Sequence, residues 1–462
     1  MKYEEWIAGK SKTIENVGIK IPHENLSACL YPHQKDLVRW ALAKGRAAIF
    51  ADTGLGKTAM QLEWAMHVSA HGRVLILAPL AVASQTVDEG KSLGLADVKY
   101  LRSDNHDQRI VITNYEMMEN FDPSNFVGVV LDESSILKSF TGKIRTQIID
   151  AFKETPYRLA ATATPAPNDF TELGNHSEFL GIKTRTEMLA EYFVHDMENT
   201  QDWRLKGHAV KAFWRWLASW GAVVRTPSDL GYDDGRYNLP PLRMHEVVIP
   251  VDHTDAYKAG MLFSMNASSL SEQRSLRKST LEKRVEEARK IASSGGQCII
   301  WCETNDESSA LKTIDGAVEV TGSQTPEEKS DLLTSFSDGK SRVIVTKPSI
   351  AGFGLNWQRC SRMIFVGASH SYEQTYQAIR RCWRFGQKNA VDVYVIRAET
   401  EQLIVDNYRR KEADAIRLGI EMSAQVGDSV RSEVRGANVR EWNPYNAHKE
   451  MIIPAWVNSE EA

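Results

Sequence analysis

Residues 47–58 read AAIFADTGLGKT, and this stretch organises the rest of the chain. Four apolar residues predict a short buried strand, a loop with two glycines follows, and Lys57 and Thr58 open a helical run. The layout is typical of a phosphate-binding loop, in which backbone N–H groups and a helix N-terminus face an anion. Glycines let the backbone close around phosphates without a side chain in the way. ATP is therefore expected to be bound by Thr53, Gly54, Leu55, Gly56, Lys57 and Thr58.

The loop departs from the strict phosphate-loop pattern at one position, where Ala51 replaces the usual first glycine. The strand predicted before the loop and the helix predicted after it support the assignment. Within the loop, we expect Lys57 to reach the β- and γ-phosphates and Thr58 to hold Mg²⁺. The loop alone indicates nucleotide binding and leaves open what the energy is used for.

Composition places the chain among globular proteins. Its 462 residues suggest two or three domains, and 42% hydrophobic and 25% charged residues are ordinary values. A formal net charge of −4 means that any polyanion would be held by a local basic patch. The five cysteines are scattered, which favours a reducing compartment over a disulfide framework or a zinc site. The first residues carry no apolar signal-peptide core and no apolar run approaches a membrane span, so we expect a cytoplasmic location.

Four apolar runs in the first part of the chain predict a parallel sheet covered on both faces: residues 73–79, 109–116, 127–133 and 157–165. Ligands of such sheets lie at the carboxyl ends of the strands. Asp132 and Glu133 fall at one of those ends, and the phosphate loop lies at another. We expect Asp132 to hold Mg²⁺ and Glu133 to orient and deprotonate the attacking water. The alternative is a solvated strand end.

Residues 183–240 have a different pattern, because five aromatic residues alternate with basic ones. Such a mixture can grip nucleic acid. Phe213, Trp216 and Trp220 nevertheless follow helical spacing, which favours a role in the core for most of these rings. A turn-rich linker is predicted at residues 231–241.

A second α/β unit follows, with a charged helix at residues 274–292 and strands at 298–301, 342–346 and 363–366. A glycine-bearing turn, AGFGLN, occupies residues 351–356. This unit has no phosphate loop of its own. It is therefore interpreted as a partner lobe and not as a second ATPase.

The most informative stretch of this unit is YEQTYQAIRRCWRFGQ at residues 372–387. On a helix, Gln377, Arg381 and Arg384 share one face, and Gly386 is placed to end that helix. Two arginines on a lobe without a nucleotide site suggest fingers that reach a γ-phosphate bound by the other lobe. The alternative is a basic helix facing solvent or nucleic acid.

Taken together, the motifs resemble those of the superfamily-two helicases and translocases, and most of all their Swi/Snf-type ATPases. The resemblance spans residues 30–400, apart from the tryptophan-rich segment. Its most specific part is QAIRRCWRFGQ, because DEAD-box helicases differ there. The matching stretches are Gln34, TGLGKT (53–58), ITNYE (112–116), LDES (131–134), ATATP (161–165), AGFGLN (351–356) and QAIRRCWRFGQ (377–387).

The resemblance implies roles for further residues. Gln34 would contact adenine, since one amide can both donate and accept; its alternative is a surface residue that caps a helix. Gln377 and Gly354 would lie at the nucleotide, and Thr162 and Thr164 would couple the site to DNA. In the family's Asp-Glu-x-His box, the fourth position is Ser135 here, which leaves the coupling of hydrolysis to movement open. The compact build is similar to that of relatives encoded by bacteriophages and prophages.

We expect an α/β chain with two RecA-like lobes, residues 1–185 and 241–430, each a parallel sheet with helices on both faces. A helical tryptophan-rich insertion and linker (186–240) would separate them, and a tail (431–462) would follow. ATP would lie in the cleft between the lobes.

The resemblance implies an ATP-dependent motor on double-stranded DNA. A strand-separating or branch-migrating helicase on forked or single-stranded DNA is the first alternative, and a nucleotide-dependent switch that never translocates is another. DNA would be bound independently of sequence by a monomer in a bacterial or phage-infected cytoplasm. Protein partners are not predicted. The candidate DNA contacts are Thr113, Asn114, Lys347, Ser349 and Trp357.

Overall fold

The computed structural model describes residues 18–94, 98–104, 107–138, 142–195, 203–235, 237–251, 277–351, 356–369 and 371–435. Gly354, most of the AGFGLN turn and the tail beyond residue 435 lie outside these ranges. Within them, no helix is both long and apolar enough to span a membrane.

Strands of the first lobe build a parallel sheet. In chain order the strands are β1 (Arg46–Ala51), β2 (Val74–Ala78), β3 (Val98–Tyr100), β4 (Ile110–Asn114), β5 (Gly128–Asp132), β6 (Tyr157–Ala161), β7 (Phe193–His195), β8 (Trp203–Leu205) and β9 (Gly221–Val224). Seven of them pair in the order β3-β4-β2-β5-β6-β1-β9, and β7 and β8 form an antiparallel pair. The apolar runs are buried because helices cover both faces of the sheet.

The helices of the first lobe are α1 (Pro32–Lys44), α2 (Lys57–Val68), α3 (Leu80–Ser92), α4 (Lys143–Phe152), α5 (Leu173–Leu180), α6 (Arg185–Tyr192) and α7 (Val210–Ala218). Short 3₁₀ turns occur at His23–Asn25, Tyr115–Asn120, Pro123–Asn125, Ser134–Lys138, Phe170–Glu172, Gly207–Ala209 and Pro227–Leu230. Local sequence explains several starts. For example, Thr184 and Glu187 form a reciprocal capping box at the beginning of α6.

The second lobe is a six-stranded parallel sheet with its own helices. Its strands are β10 (Leu242–Ile249), β11 (Cys298–Trp301), β12 (Ala317–Val320), β13 (Val343–Thr346), β14 (Arg362–Val366) and β15 (Val391–Ala398), paired in the order β10-β15-β14-β11-β13-β12. Its helices are α8 (Leu281–Ala292), α9 (Asn305–Leu311), α10 (Pro326–Ser337), α11 (Pro348–Ala351), α12 (Tyr372–Ile379) and α13 (Gln402–Arg435), with a 3₁₀ turn at Glu399–Glu401. The expectation of two α/β lobes with parallel sheets is confirmed.

The tryptophan-rich segment belongs to the first lobe. Strand β9 pairs in parallel with β1, and the Ala48 N–H donates to the Trp220 carbonyl at 2.8 Å. Phe213 and Trp220 are buried, as the helical spacing predicted, whereas Trp216 is only partly buried and Trp214, outside that spacing, is buried. The predicted boundary at residue 185 therefore differs from the structure, in which the sheet of the first lobe continues to Val224.

The last helix, α13, returns from the second lobe to the first. Met422, Val430 and Val434 join the apolar core of the first lobe, and α13 packs against α7, β9 and α1. The Arg431 guanidinium also donates to the Asp229 carbonyl at 3.2 Å. The predicted second lobe, residues 241–430, thus includes a helix whose later turns are part of the packing of the first lobe.

Replacing Trp220 by Ala should destabilise the first lobe, because its fully buried ring packs edge-on against Phe50 of β1. We expect a loss of roughly 3–5 kcal/mol, the usual cost of removing a buried tryptophan side chain. Thermal and denaturant unfolding would measure the loss. Ile144→Ala, at a side chain that is 42% exposed, is the matched control and should change stability little. Equal stability of the two variants would contradict the placement of Trp220 in the core.

Candidate active site

The phosphate loop lies between β1 and α2 and has the backbone that its glycines predict. Gly54 has φ +91° and Gly56 has φ +81°, a region that side chains other than glycine rarely enter. A Cβ atom at Gly56 would lie 2.2 Å from Nε2 of Gln34. Helix α2 begins at Lys57, so its free N–H groups face the loop. The loop is therefore shaped as a cradle for an anion.

Lys57 is the cation of this cradle. Its Nζ donates to the carbonyl oxygens of Ala51, at 3.0 Å, and Asp52, at 3.4 Å. Burial lowers the pKa of Lys57, and the carboxylates of Glu133, Asp52 and Asp132 oppose this shift. Thr58 follows Lys57 as the second residue of α2.

Asp132 ends β5, and its buried carboxylate is held by a residue that the sequence analysis did not single out. Gln61 donates from Nε2 to Asp132 Oδ1 at 2.7 Å. Gln61 stands four residues after Lys57 on α2, so both project from the same face of the helix. Burial, together with the charge of Glu133, raises the pKa of Asp132 to about 6. Helical spacing from Lys57 is a signal that would have identified Gln61.

Glu133 adopts φ +52°, the only positive φ of a non-glycine residue in the described ranges. Such a conformation costs free energy and is often found at functional sites. The Thr162 hydroxyl donates to Glu133 Oε2 at 3.4 Å, and the Thr164 N–H donates to the Thr162 hydroxyl at 3.1 Å. The ends of β5 and β6 are thereby connected, which is the geometry that a coupling role for the two threonines needs. That role stays a prediction.

A buried histidine from a distant part of the chain contacts the Asp-Glu box. His176 on α5 lies with Nε2 3.1 Å from the Ser134 hydroxyl, and its ring packs edge-on against Phe50. Burial lowers the pKa of His176 to about 4, so the ring is neutral at pH 7. Ser135, at the position expected to be histidine, is itself buried. Sequence gave no signal for the contact between Ser134 and His176, because 42 residues separate them.

Gln34 is placed against the phosphate loop. Its Nε2 donates to the Leu55 carbonyl at 2.9 Å, and its Oε1 accepts from the Tyr31 N–H at 2.9 Å. The second of these bonds caps α1, as the alternative interpretation expected, and the side chain is buried. Contact with adenine stays a prediction for this residue.

The predicted arginine helix is shorter than expected. Helix α12 ends at Ile379, and not near Gly386, because the following carbonyls are used outside the helix. The Arg381 carbonyl, for example, accepts from the Trp357 N–H at 2.9 Å. Arg381 is buried, and its Nη2 donates to Gln377 Oε1 at 3.1 Å. The two residues therefore lie together at i, i+4, because the chain keeps helical-turn bonds for a few residues past Ile379.

Both predicted fingers lie among charges of the cleft. Burial and the neighbouring Arg384 lower the pKa of Arg381 to about 9. Burial also lowers the pKa of Arg384, and Glu89 of α3 in the first lobe opposes this shift. The carboxylate of Glu133 likewise opposes the lowering of the pKa of both arginines. A carboxylate of the first lobe thus shares its electrostatic environment with two arginines of the second.

Three of the five candidate DNA contacts are buried, which is unfavourable for contact with DNA. Thr113 and Asn114 are buried, and Asn114 bonds to Tyr100 and Glu116 through its side-chain amide. Trp357 is also buried and donates from Nε1 to the Ser337 hydroxyl at 3.0 Å, which fits the packed ring that the sequence analysis preferred.

Lys347 and Ser349 lie at the surface of the second lobe, where Lys347 Nζ donates to Asn305 Oδ1 at 2.7 Å. Contact with DNA stays a prediction for all five residues. It needs the least rearrangement for Lys347 and Ser349, because these two lie at the surface.

The residues expected at Mg²⁺ supply hard oxygen donors, the Thr58 hydroxyl and the Asp132 carboxylate, which suit this ion. In the described part of the chain no group of three or more His, Cys, Asp or Glu side chains could hold a metal by itself. The donor set fits an ion whose remaining ligands are phosphate oxygens and water.

Two family models match the chain. Residues 28–167 match the type III restriction enzyme, res subunit, and residues 281–386 match the helicase conserved C-terminal domain. The first range contains the phosphate loop and the Asp-Glu box, and the second ends at the arginine stretch. No curated protein matches the sequence.

The chain is also similar to a solved structure, the Sulfolobus solfataricus SWI2/SNF2 ATPase core in complex with dsDNA. The two share 18% identity over 88% of this chain and 99% of that chain, with a TM-score of 0.40. A similarity at this level carries no conclusion about the site.

Stability of the first lobe should depend on pH through His176. Because the folded pKa lies near 4 and the unfolded value is 6.5, protons bind the unfolded chain first as pH falls through this window. Stability is thus lost between about pH 6.5 and 4, and from pH 7 to 5 the loss is about 2 kcal/mol. The variant His176→Gln should lack this part of the pH dependence. Denaturant unfolding of both proteins at the two pH values tests this, and equal pH dependence would contradict it.

Proposed function

We propose that this chain, which matches the models of the helicase conserved C-terminal domain and of the res subunit of type III restriction enzymes, is a DNA-dependent ATPase of the Swi/Snf type that couples ATP hydrolysis to movement along double-stranded DNA. The observation that carries the proposal is that the second lobe contacts the phosphate loop of the first, where Tyr376 bonds to Asp52 at 2.8 Å and Arg380 to the Thr53 carbonyl at 2.8 Å. Glu133, at the carboxyl end of a first-lobe strand, acts on Lys57 in its own lobe and on Arg381 and Arg384 in the other. Hydrolysis would thus require both lobes.

In the proposed reaction, Lys57 and the N–H groups of the loop neutralise the β- and γ-phosphates. Mg²⁺, held by Thr58 and Asp132, would supply charge neutralisation of the phosphate oxygens. Glu133 orients the attacking water and accepts its proton. Arg381 and Arg384 stabilise the charge that develops on the transferred phosphoryl group, an effect worth roughly 10³–10⁵-fold in rate in other phosphoryl-transfer enzymes.

Two features support binding of ATP in this cleft. The buried Nε2 of Gln377 has no hydrogen-bond partner in the described part of the chain, although a buried amide is normally paired. Gln377 lies next to Arg381, one of the two proposed fingers, and a nucleotide contact at this amide is part of the proposal. The glycine cradle is the second feature, because Gly54 and Gly56 have positive φ angles and leave the loop without side chains where phosphates are expected.

Movement would follow from closure of the lobes on ATP and their opening after hydrolysis, a two-state domain motion. DNA would cross both lobes outside the nucleotide site, held through its phosphates. Lys347 and Ser349 are the proposed contacts in the second lobe. The choice of double-stranded DNA rests on the QAIRRCWRFGQ signature of the Swi/Snf branch. Phosphate contacts imply binding that weakens steeply with salt and depends little on sequence.

The nucleic-acid dependence of the ATPase rate tests this function. We expect strong stimulation by blunt duplex DNA and displacement of a third strand from a triplex. Greater stimulation by forked or single-stranded DNA, with strand separation, would favour a helicase instead. Equal rates with duplex, forked, single-stranded and no DNA would leave a nucleotide-dependent switch and contradict the motor.

Replacing Glu133 by Gln should leave ATP binding intact and stop turnover, because the loop contacts survive but the base does not. The companion variant Lys57→Ala should lose affinity for ATP, since it removes the charge that faces the phosphates. Equilibrium binding of a fluorescent ATP analogue and single-turnover hydrolysis separate the two effects. Turnover by Glu133→Gln near the wild-type rate would show that another residue is the base.

A further inference from the structure

The phosphate loop carries a carboxylate of its own, Asp52, and two side chains of the second lobe bind this carboxylate. Asp52 Oδ1 accepts from the Tyr376 hydroxyl at 2.8 Å and lies 3.2 Å from Nη2 of Arg380. Arg380 also donates from Nη2 to the Thr53 carbonyl at 2.8 Å, and from Nε to the Thr53 hydroxyl. These contacts join residues more than 300 positions apart, and they bring α12 onto the loop.

Arg380 has little access to solvent and lies in a cationic neighbourhood. It is 5% exposed, and its guanidinium lies 5.1 Å from the ring of Trp383 and 5.7 Å from that of Tyr376. Arg381 and Arg384 lie close to Arg380 in sequence, and the positive charge of Arg380 contributes to lowering the pKa of each. Asp52 is the carboxylate paired with Arg380 in this group.

Asp52 is equally dependent on its partners. Burial alone would raise the pKa of Asp52, yet Arg380, the Tyr376 hydroxyl and the Thr53 N–H together hold that pKa below its ordinary value. The carboxylate is thus charged at neutral pH. A negative charge in a phosphate loop repels the phosphates that the loop must bind, and the repulsion is strong where water is scarce. Lys57 offsets this charge in part, but Lys57 is also expected to face the phosphates, so the loop needs a second cation at this position.

We propose that Arg380 supplies this cation and acts as a positioning residue for ATP hydrolysis, by neutralising Asp52 and seating the second lobe on the phosphate loop. The proposal rests on the ATPase function proposed above and adds a third arginine to the two expected fingers, with a different role. Arg381 and Arg384 would contact the nucleotide, whereas Arg380 acts through Asp52 and Thr53. Tyr376, which donates to the same carboxylate oxygen, keeps it aligned.

The main competing role is that of a third finger that touches the γ-phosphate directly. The two roles predict different behaviour when Asp52 is changed. If Arg380 compensates Asp52, removal of the arginine is harmful only while the carboxylate is present. If Arg380 contacts phosphate, its removal is harmful in either background. A double-mutant cycle measures this difference.

The experiment compares four full-length proteins: wild type, Arg380→Gln, Asp52→Asn and the double variant. Equilibrium binding of a fluorescent ATP analogue with Mg²⁺ is measured without DNA. We expect Arg380→Gln to weaken binding roughly ten-fold, because it leaves the part-buried charge of Asp52 without its paired cation. Asp52→Asn, added to that variant, should restore binding to within about three-fold of wild type. Arg380→Lys, which keeps the charge, should bind more tightly than Arg380→Gln.

Arg397→Gln is the matched control, because Arg397 is similarly buried and paired with Glu246 within the second lobe. It should leave nucleotide binding unchanged. Thermal unfolding of every variant shows whether a loss reflects folding. Wild-type affinity in Arg380→Gln, or a double variant as weak as Arg380→Gln, would overturn the proposal. The binding assay uses neither DNA nor turnover. If wild-type protein binds ATP but DNA does not stimulate its ATPase rate, the proposed motor function is contradicted, whereas the proposed role of Arg380 and Asp52 is not.

Discussion

The buried ammonium group of Lys57 is the interaction on which the rest of the cleft depends. A lysine removed from water loses its charge unless carboxylates lie nearby, and here Glu133, Asp52 and Asp132 provide them. Those carboxylates in turn need cations or hydrogen-bond donors, which the second lobe and α2 supply. Glu133 is near Arg381, Asp52 is paired with Arg380, and Asp132 accepts from Gln61. Charge balance therefore ties the two lobes together at the site where phosphates are expected.

This charge balance also bears on the proposed movement of the two lobes. Each lobe has a complete sheet and its own apolar core, so each can move as a unit. The contacts between them include the polar bonds of Tyr376 and Arg380 to the loop as well as the apolar packing of α13, and a change of charge in the loop alters the polar bonds directly. Binding or loss of phosphates would shift such contacts far more than it would disturb an apolar core. Helix α13, which runs from the second lobe onto the first, gives the two a further connection.

Sequence predicted the parts of the fold and site that depend on local pattern. The buried strands were evident as apolar runs, and the phosphate loop as two glycines before Lys57 and Thr58. Strand β9 was missed because four residues, GAVV, do not reveal which strand they pair with. Arg380 was missed for a different reason. The prediction considered the face that carries Gln377, Arg381 and Arg384, whereas Tyr376 and Arg380, also four residues apart, are the ones that bond to the loop.

The central claim is that the two lobes complete one ATPase site. A crystal structure of the chain with Mg²⁺, ADP and aluminium fluoride, which mimics the phosphoryl group in flight, tests it most directly. If the two lobes complete one site, Lys57 from the first lobe and Arg381 or Arg384 from the second both lie within hydrogen-bond distance of the fluoride group. A fluoride group contacted by the first lobe alone, with both arginines turned away from it, would contradict the account.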